Sequence, residues 1–318
     1  MSQQSLALPD SVESVFDVRD IAPLDLGGHV VAPELLPPGA VPGHSKGSFC
    51  LPMTNAQYHS QRSFISHSGM IELLRSPAHY FEYLINPREE SSPSVWTAIH
   101  AAVLEPEEYA KQYISYDGHR RGKAWDEFKA AHASHQILTA SEVRVIEGAT
   151  ASVREFSDFP LWPAIRAGEP EKSIFWTDEK SGARCRIRID CLTPHVIFDL
   201  KSIDDARPEK VQRQIAHMDY DLQAYMYTAG TRAFTGKTLP FYFIFVESKR
   251  PHGLCLVRAG QSVLANGFIK FRRGVQRFAE LCASGDWSCY PGSVYTAEMP
   301  RYAMLTPEND GELYEADV

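Results

Sequence analysis

Two neighbouring stretches, Arg184-Cys-Arg-Ile-Arg-Ile-Asp190 and Val196-Ile-Phe-Asp-Leu-Lys201, carry the strongest structural signal in the sequence. Polar and apolar side chains alternate in both, which is the period of a β-strand with one face in a hydrophobic core. If the two strands pair as a hairpin, their charged side chains share one side of the sheet. That side would carry Arg184, Arg186, Arg188, Asp190, Asp199 and Lys201.

The segments around this pair complete the predicted fold. A period of two predicts further strands at residues 173–177, 239–246 and 254–257. Apolar residues spaced by three and four predict helices at 66–84, with a break near Pro77, and at 94–104, 123–134, 140–156, 208–229 and 261–284. The pattern favours an α/β (α+β) fold, in which a mixed central sheet is flanked by helices and preceded by a helical N-terminal half.

The chain of 318 residues is long enough for one large domain or two modest ones. Because prolines and glycines crowd residues 31–43, residues 1–55 are interpreted as a proline-rich, loosely ordered arm. Residues 56–299 are predicted to form a single domain, with a helical part at 64–165 and the sheet with its helices at 170–290. Residues 300–318 are interpreted as an acidic tail.

The net charge of −8 hides an uneven distribution. Residues 1–50 contain six acids and two bases, and residues 300–318 contain five acids and one base, so each end carries −4. Residues 51–299 are therefore neutral overall. The total charge alone argues against a protein that binds nucleic acid with its whole surface, but it leaves room for a local site.

Several classes of protein are not supported by the sequence. No basic region followed by an apolar run resembles a signal peptide, and no stretch approaches the roughly 20 apolar residues that cross a bilayer, so we expect no membrane association. The six cysteines form no C-x-x-C pair, and four clustered thiolates are not evident. We therefore expect no zinc ribbon, no iron–sulfur cluster and free thiols in a reducing cytoplasm.

The paired carboxylates suggest a metal site. Two carboxylates held close together repel each other unless a cation lies between them, and Mg²⁺ is typically held by one or two carboxylates, waters and phosphate oxygens. Lys201, two residues beyond Asp199, would fit beside a reacting water. The alternative is an ordinary exposed strand face with surface salt bridges.

Side chains from three other parts of the sequence could join this site. Gln223 and Tyr227 lie one helical turn apart, where they could orient the lysine or contact a phosphate, or simply belong to an ordinary helix. His100 lies in an apolar helix, where a histidine is either a metal ligand or a core residue with satisfied hydrogen bonds. Glu171 opens the strand that precedes the pair and could be an outer acid, although a surface salt bridge is the favoured interpretation.

Taken together and in order, His100, Asp190, Asp199-Leu-Lys201 and Gln223-x-x-x-Tyr227 resemble the RecB-type branch of the PD-(D/E)xK nuclease superfamily. More narrowly, a set of short sequence motifs between about residues 64 and 290 resembles the RecE-like exodeoxyribonuclease VIII family. These are Ser66-His-Ser-Gly with Ser76-Pro-Ala-His-Tyr80, Thr97-Ala-Ile-His100 with Leu104-Glu-Pro106, Ser173-Ile-Phe-Trp176 and Arg186-Ile-Arg-Ile-Asp190. The chain departs from the wider superfamily at Asp199, where glutamate is usual.

The resemblance implies a restriction-endonuclease-like core and a role for each matching residue. Asp190, Asp199 and the main-chain carbonyl of Leu200 would hold Mg²⁺, or alternatively Mn²⁺, and His100 would be an additional ligand. Lys201 would position the attacking water, and Gln223 and Tyr227 would support the lysine and the DNA backbone. To these we add Arg184, Arg186 and Arg188 as expected phosphate contacts beside the metal.

The activity implied is a Mg²⁺-dependent exonuclease that degrades one strand of double-stranded DNA from its end, 5′ to 3′. Its product would serve recombination through a RecT-type single-strand annealing protein, and such relatives form homo-oligomeric rings in the cytoplasm of bacteria or phage-infected cells. Two alternatives remain open: a nuclease of the same fold that acts on single strands or particular DNA structures, and a non-catalytic DNA-binding or assembly protein that retains the fold.

Overall fold

The structure is a computed structural model, and it describes residues 47–86, 94–290, 294, 296–300 and 304. The strands are β1 (Ser48–Cys50), β2 (Tyr113–Tyr116), β3 (Gln136–Thr139), β4 (Glu169–Thr177), β5 (Arg184–Leu192), β6 (Ile197–Ile203), β7 (Phe241–Glu247) and β8 (Leu254–Arg258). The helices are α1 (Asn55–Ser60), α2 (His67–Arg75), α3 (Pro77–Ile85), α4 (Val95–Leu104), α5 (Pro106–Gln112), α6 (Lys123–Ala131), α7 (Ala140–Glu155), α8 (Leu161–Arg166), α9 (Pro208–His217), α10 (Tyr220–Thr235) and α11 (Gln261–Ser284).

Six strands form the central sheet, in the order β1-β4-β5-β6-β7-β8. Neighbouring strands are antiparallel except β6 and β7, which run parallel and are joined through the helices α9 and α10, because parallel strands need a long crossover. The predicted hairpin of β5 and β6 is present and antiparallel. The mixed sheet flanked by helices that the sequence predicts is therefore confirmed.

The sheet is buried on both faces by two hydrophobic clusters. Along β7, Phe243 and Phe245 belong to the cluster that α2, α10 and α11 cover, whereas Ile244 and Val246 belong to the cluster that α4, α7 and α8 cover. A strand buried on both faces is apolar at successive positions, which explains the unbroken run Phe241-Tyr-Phe-Ile-Phe-Val246. The helical N-terminal half thus contributes to both layers, with α4, α7 and α8 on one face of the sheet and α2 on the other.

Side-chain caps fix where the first helices begin. The hydroxyl oxygens of Ser66, Ser76 and Ser94 each accept a hydrogen bond from a backbone N–H in the first turn of α2, α3 and α4. The break expected near Pro77 lies at Ser76, and Pro77 takes the first position of α3, where its missing N–H costs nothing. The Ser94 cap therefore fixes the first residue of α4, the helix that carries His100.

Two sequence expectations need correction. The arm assigned to residues 1–55 is too long, since Ser48–Cys50 pairs with β4 as strand β1 at the edge of the sheet. The helix predicted over 208–229 is two helices, because Asp219 has a left-handed backbone with φ of 53° and ends the first helical path. Helices α1, α5 and α8 and the two-stranded sheet of β2 and β3 were not predicted.

Residues 1–46 and most of the tail at 300–318 lie outside the described residues, so their assignment stays a prediction. Within the described part of the chain, no helix combines the length and the apolar character that crossing a membrane requires.

Candidate active site and metal centre

Three acids lie side by side on consecutive strands of the sheet. Glu171 on β4 faces Asp190 on β5, because the pairs Pro170↔Cys191 and Lys172↔Ile189 flank them. Asp199 on β6 follows directly on the last ladder pair between β5 and β6. At that point the Asp190 Oδ2 atom accepts a hydrogen bond from the Leu200 N–H at 2.7 Å, so the carboxylate takes the place of the next ladder bond.

His100 on α4 joins the first two acids. Its Nε2 lies 3.0 Å from the Asp190 Oδ2, and its Nδ1 lies 3.4 Å from the Glu171 Oε1. Burial lowers the pKa of His100, but the Asp190 and Glu171 carboxylates outweigh burial and raise that pKa to about 9. An imidazolium ion therefore neutralises the carboxylates here at neutral pH when no other cation is bound.

Asp199 forms the second half of the site with Lys201 and Gln223. Its side chain is completely buried, with Oδ2 2.5 Å from the Lys201 Nζ and Oδ1 accepting a hydrogen bond from the Gln223 Nε2 at 2.7 Å. Burial and the nearby Asp190 raise the pKa of Asp199 to about 7 against the opposing effect of Lys201. Burial lowers the pKa of Lys201, but Asp199 and Asp190 raise it overall, so the lysine is charged.

Tyr227 contributes a buried aromatic ring next to this half of the site. It lies one turn after Gln223 on α10 and is buried, with its ring centroid 5.9 Å from that of Phe241. Burial raises the pKa of its phenol, and a hydrogen bond with Gln223 opposes that effect. Gln223 thus contacts the acid directly, Tyr227 lies next to Gln223, and the supporting role of both residues stays a prediction.

Three predicted phosphate contacts lie in different surroundings. Arg186 is only 2% exposed, donates a hydrogen bond to the Tyr58 carbonyl and stacks 4.6 Å from the Tyr58 ring centroid. The expectation that Arg186 contacts DNA is wrong for this conformation, because α1 covers that part of β5. Arg184 is half-buried against the Phe64 ring, and its phosphate contact stays a prediction.

Arg188 is held by protein groups on the acidic side of the sheet. Its Nε donates to the Glu171 carboxylate, and one terminal nitrogen donates to the Ser173 hydroxyl at 3.0 Å and the Met53 carbonyl at 3.1 Å. With three acceptors engaged and only 14% of its side chain exposed, Arg188 positions Glu171 rather than standing free for a phosphate.

Glu171, for which the sequence favoured a surface salt bridge over an outer acid, pairs with Arg188 and also lies beside His100 and Asp190. Its side chain is 22% exposed and faces His100 and Asp190, and its backbone φ of 50° is rare for a non-glycine residue inside a strand. Burial and Asp190 raise its pKa, whereas His100 and Arg188 lower it. A signal existed in the sequence: a turn centred between residues 180 and 181 would bring Glu171 opposite Asp190.

The donor atoms fit a hard divalent cation. Within the described residues, single ligand atoms of His100, Glu171 and Asp190 all lie within 4.8 Å of one another. Carboxylate oxygens and an imidazole nitrogen suit Mg²⁺ or Mn²⁺ better than the soft metals that prefer thiolates. The compact cluster differs from the expected set in containing Glu171, while Asp199 is bound by Lys201 and Gln223; the metal roles of Asp199 and of the Leu200 carbonyl stay predictions.

The mixed sheet, the buried Asp199 with Lys201 two residues later on β6, and Asp190 on β5 define a PD-(D/E)xK-type core. The sequence matches the family described as a PDDEXK-like domain of unknown function (DUF3799) over residues 66–298, a span that includes every one of these site residues. The chain therefore belongs to that family.

A crystal structure of a candidate exonuclease from Eubacterium rectale has a similar fold, with a TM-score of 0.52 and 16% sequence identity over 79% of this chain and 97% of that one. No curated protein matches the sequence.

Proposed function

We propose that this protein is a divalent-metal-dependent deoxyribonuclease that hydrolyses phosphodiester bonds of double-stranded DNA from an end. The observation that carries the proposal is the buried Asp199 with the partly buried Lys201 at 2.5 Å, beside the His100, Glu171 and Asp190 cluster. Burying a carboxylate with a lysine is costly, and such pairs are typical of sites where charge must be managed during a reaction.

Each residue has a chemical task in this proposal. Asp190, His100 and Asp199, with the Leu200 carbonyl, would hold Mg²⁺ or Mn²⁺, which when bound supplies Lewis acidity toward a phosphate oxygen. Lys201 would orient the attacking water and offset the negative charge that grows on the phosphate. Gln223 holds the Asp199 carboxylate in place, and Glu171 holds His100.

The finer proposal is a RecE-like exonuclease of 5′-to-3′ polarity that prepares DNA for recombination in the cytoplasm of a bacterium or phage-infected cell. It would act as a homo-oligomeric ring together with a RecT-type single-strand annealing protein. The sequence motifs that resemble the RecE-like family support this assignment, and the family match supports the nuclease class.

Substrate topology tests the proposal. We expect Mg²⁺-dependent degradation of end-labelled linear duplex DNA, with label release from the 5′ end first, and no attack on covalently closed circles. Cleavage of closed circles would contradict an exonuclease and favour the structure-specific or single-strand alternative. Absence of cleavage of any DNA with Mg²⁺ or Mn²⁺ would favour the non-catalytic DNA-binding alternative.

A further inference from the structure

A cavity of about 950 Å³ opens between α2, the middle of α11 and the start of α10. Four cationic and two acidic side chains are among the residues that line it, namely Arg75, Lys270, Arg273, Arg277, Asp219 and Glu280. No aromatic side chain is among its described lining residues, so the cavity offers charge without a platform for stacking.

The cations are not equally available. Lys270 is bound to Asp219 at 2.6 Å and to Asp221 at 2.8 Å, and the exposed Arg75 lies 3.9 Å from the partly buried Glu72. Arg273 and Arg277 lie one turn apart on α11, and among the described residues neither forms an ion pair. Two unpaired guanidinium groups on one wall favour a ligand that presents successive negative charges.

The cavity adjoins the candidate active site through Asp219. The next residue, Tyr220, has its ring centroid 4.9 Å from the Lys201 Nζ, and the His67 Nε2 donates a hydrogen bond to the Asp219 carbonyl at 3.0 Å. The Asp219 carbonyl also accepts the N–H of Gln223, the residue that holds Asp199. One turn of α10, about 5.4 Å along the helix axis, and the Gln223 side chain therefore connect the cavity wall at Asp219 to the Asp199 carboxylate.

We propose that this cavity binds the sugar–phosphate backbone of the DNA strand that lies in the active site, through the guanidinium groups of Arg273 and Arg277. The inference rests on the proposed nuclease function, because it identifies the bound polyanion as the substrate strand. The strand can belong to a duplex or be already separated, since both present the same phosphodiester chain. An acidic protein segment is the competing ligand for such a surface.

Binding can be measured without cleavage, in EDTA, by the fluorescence anisotropy of a labelled single strand and of the corresponding blunt duplex. We expect Arg273→Ala/Arg277→Ala in the full-length chain to weaken binding about tenfold or more, for at least one of the two DNAs. The slope of log Kd against log salt should flatten by about one for each arginine removed. Where both DNAs are affected, a duplex strand is bound; an effect on the single strand alone indicates a separated strand.

Three comparisons make the test specific. Arg273→Lys/Arg277→Lys should keep most of the affinity and the salt slope, and Arg258→Ala, at an exposed arginine outside the cavity, should leave both unchanged. In Mg²⁺, the Arg273→Ala/Arg277→Ala variant should lose activity through a higher KM rather than a lower kcat.

Four results would each overturn the proposal. These are an equal loss of affinity in Arg258→Ala, an unchanged Kd in the double alanine variant, no DNA binding by the wild type, and equally tight binding of polyglutamate. A wild type that binds DNA through these arginines but never cleaves it would instead refute the nuclease function.

Discussion

The Lys201 ammonium is the positive group that compensates the completely buried Asp199 carboxylate. Replacing it by alanine leaves an acid whose pKa is already raised to about 7, so the acid would take up a proton and lose its charge. We expect Lys201→Ala to reduce DNA cleavage about 100-fold or more while the far-ultraviolet circular dichroism stays unchanged. Lys129→Ala, at an exposed lysine on α6, is the control and should cleave like the wild type.

Glu171 faces the Nδ1 of His100 while Asp190 faces the Nε2, so Glu171 would accept a hydrogen bond from Nδ1 and orient the ring when Nε2 binds a metal. We expect Glu171→Gln to weaken Mn²⁺ binding about 10- to 100-fold, measured by electron paramagnetic resonance of the free ion. Glu169→Gln removes a 64%-exposed acid from the same strand and should bind Mn²⁺ normally. Equal affinities in the two variants would show that Glu171 has no part in the metal site.

The raised pKa of His100 makes the stability of the metal-free protein depend on pH. Because this pKa rises from 6.5 to about 9 on folding, the bound proton stabilises the fold fully below about pH 6.5, and its contribution is lost as the pH rises through about 9. The loss should be about 3 kcal/mol of unfolding free energy between these limits, measured by urea unfolding in EDTA. His100→Gln should flatten this slope, and an identical slope in the variant would contradict the assignment.

Helices α10 and α11 pack against each other, and they carry Gln223 and the two cavity arginines, Arg273 and Arg277, respectively. Gly267 allows this close packing, since a Cβ atom there would lie 2.1 Å from the Asp221 carbonyl oxygen. We expect Gly267→Ala to lower the unfolding free energy by about 1–3 kcal/mol despite its better helix propensity. Ser262→Ala, at an exposed position of α11, should be close to neutral, and thermal unfolding of both variants checks the difference.

The period-two stretches around Asp190 and Lys201 were predictable because the alternation of a strand is a local property. Their hairpin brings Asp190 and Asp199 to neighbouring strands, and the spacing of Gln223 and Tyr227 places both on one side of a helix. The burial of Arg186 was not predictable, because it depends on α1, which packs from a distant part of the sequence. The break at Asp219 was missed because left-handed backbone at one aspartate leaves no mark in the hydrophobic period.

Over the whole molecule, the excess negative charge lies in the two ends of the chain, whereas the central part is neutral. Residues 51–299 carry no net charge, so the affinity for DNA has to come from local groups such as Arg273 and Arg277. This is why the net charge of −8 is a poor guide to the partner.

The boundary of the folded domain can be located by truncation. Removing residues 1–46 should leave stability and cleavage unchanged, because β1 is retained. Removing residues 1–54 also deletes β1 and Phe49, whose ring stacks 5.1 Å from that of the buried Phe175. We expect that second truncation to lose about 2–3 kcal/mol of unfolding free energy. Equal stability of the two truncated proteins would show that β1 contributes little to the fold.

The claim on which the rest depends is that the acids and Lys201 catalyse metal-dependent hydrolysis of DNA. Release of acid-soluble nucleotides from uniformly labelled linear duplex DNA by the purified full-length chain, with Mg²⁺ and with EDTA, measures this most directly. We expect steady release in Mg²⁺ and none in EDTA. Release that continues unchanged in EDTA, or no release under either condition or with Mn²⁺, would contradict metal-dependent catalysis by these residues.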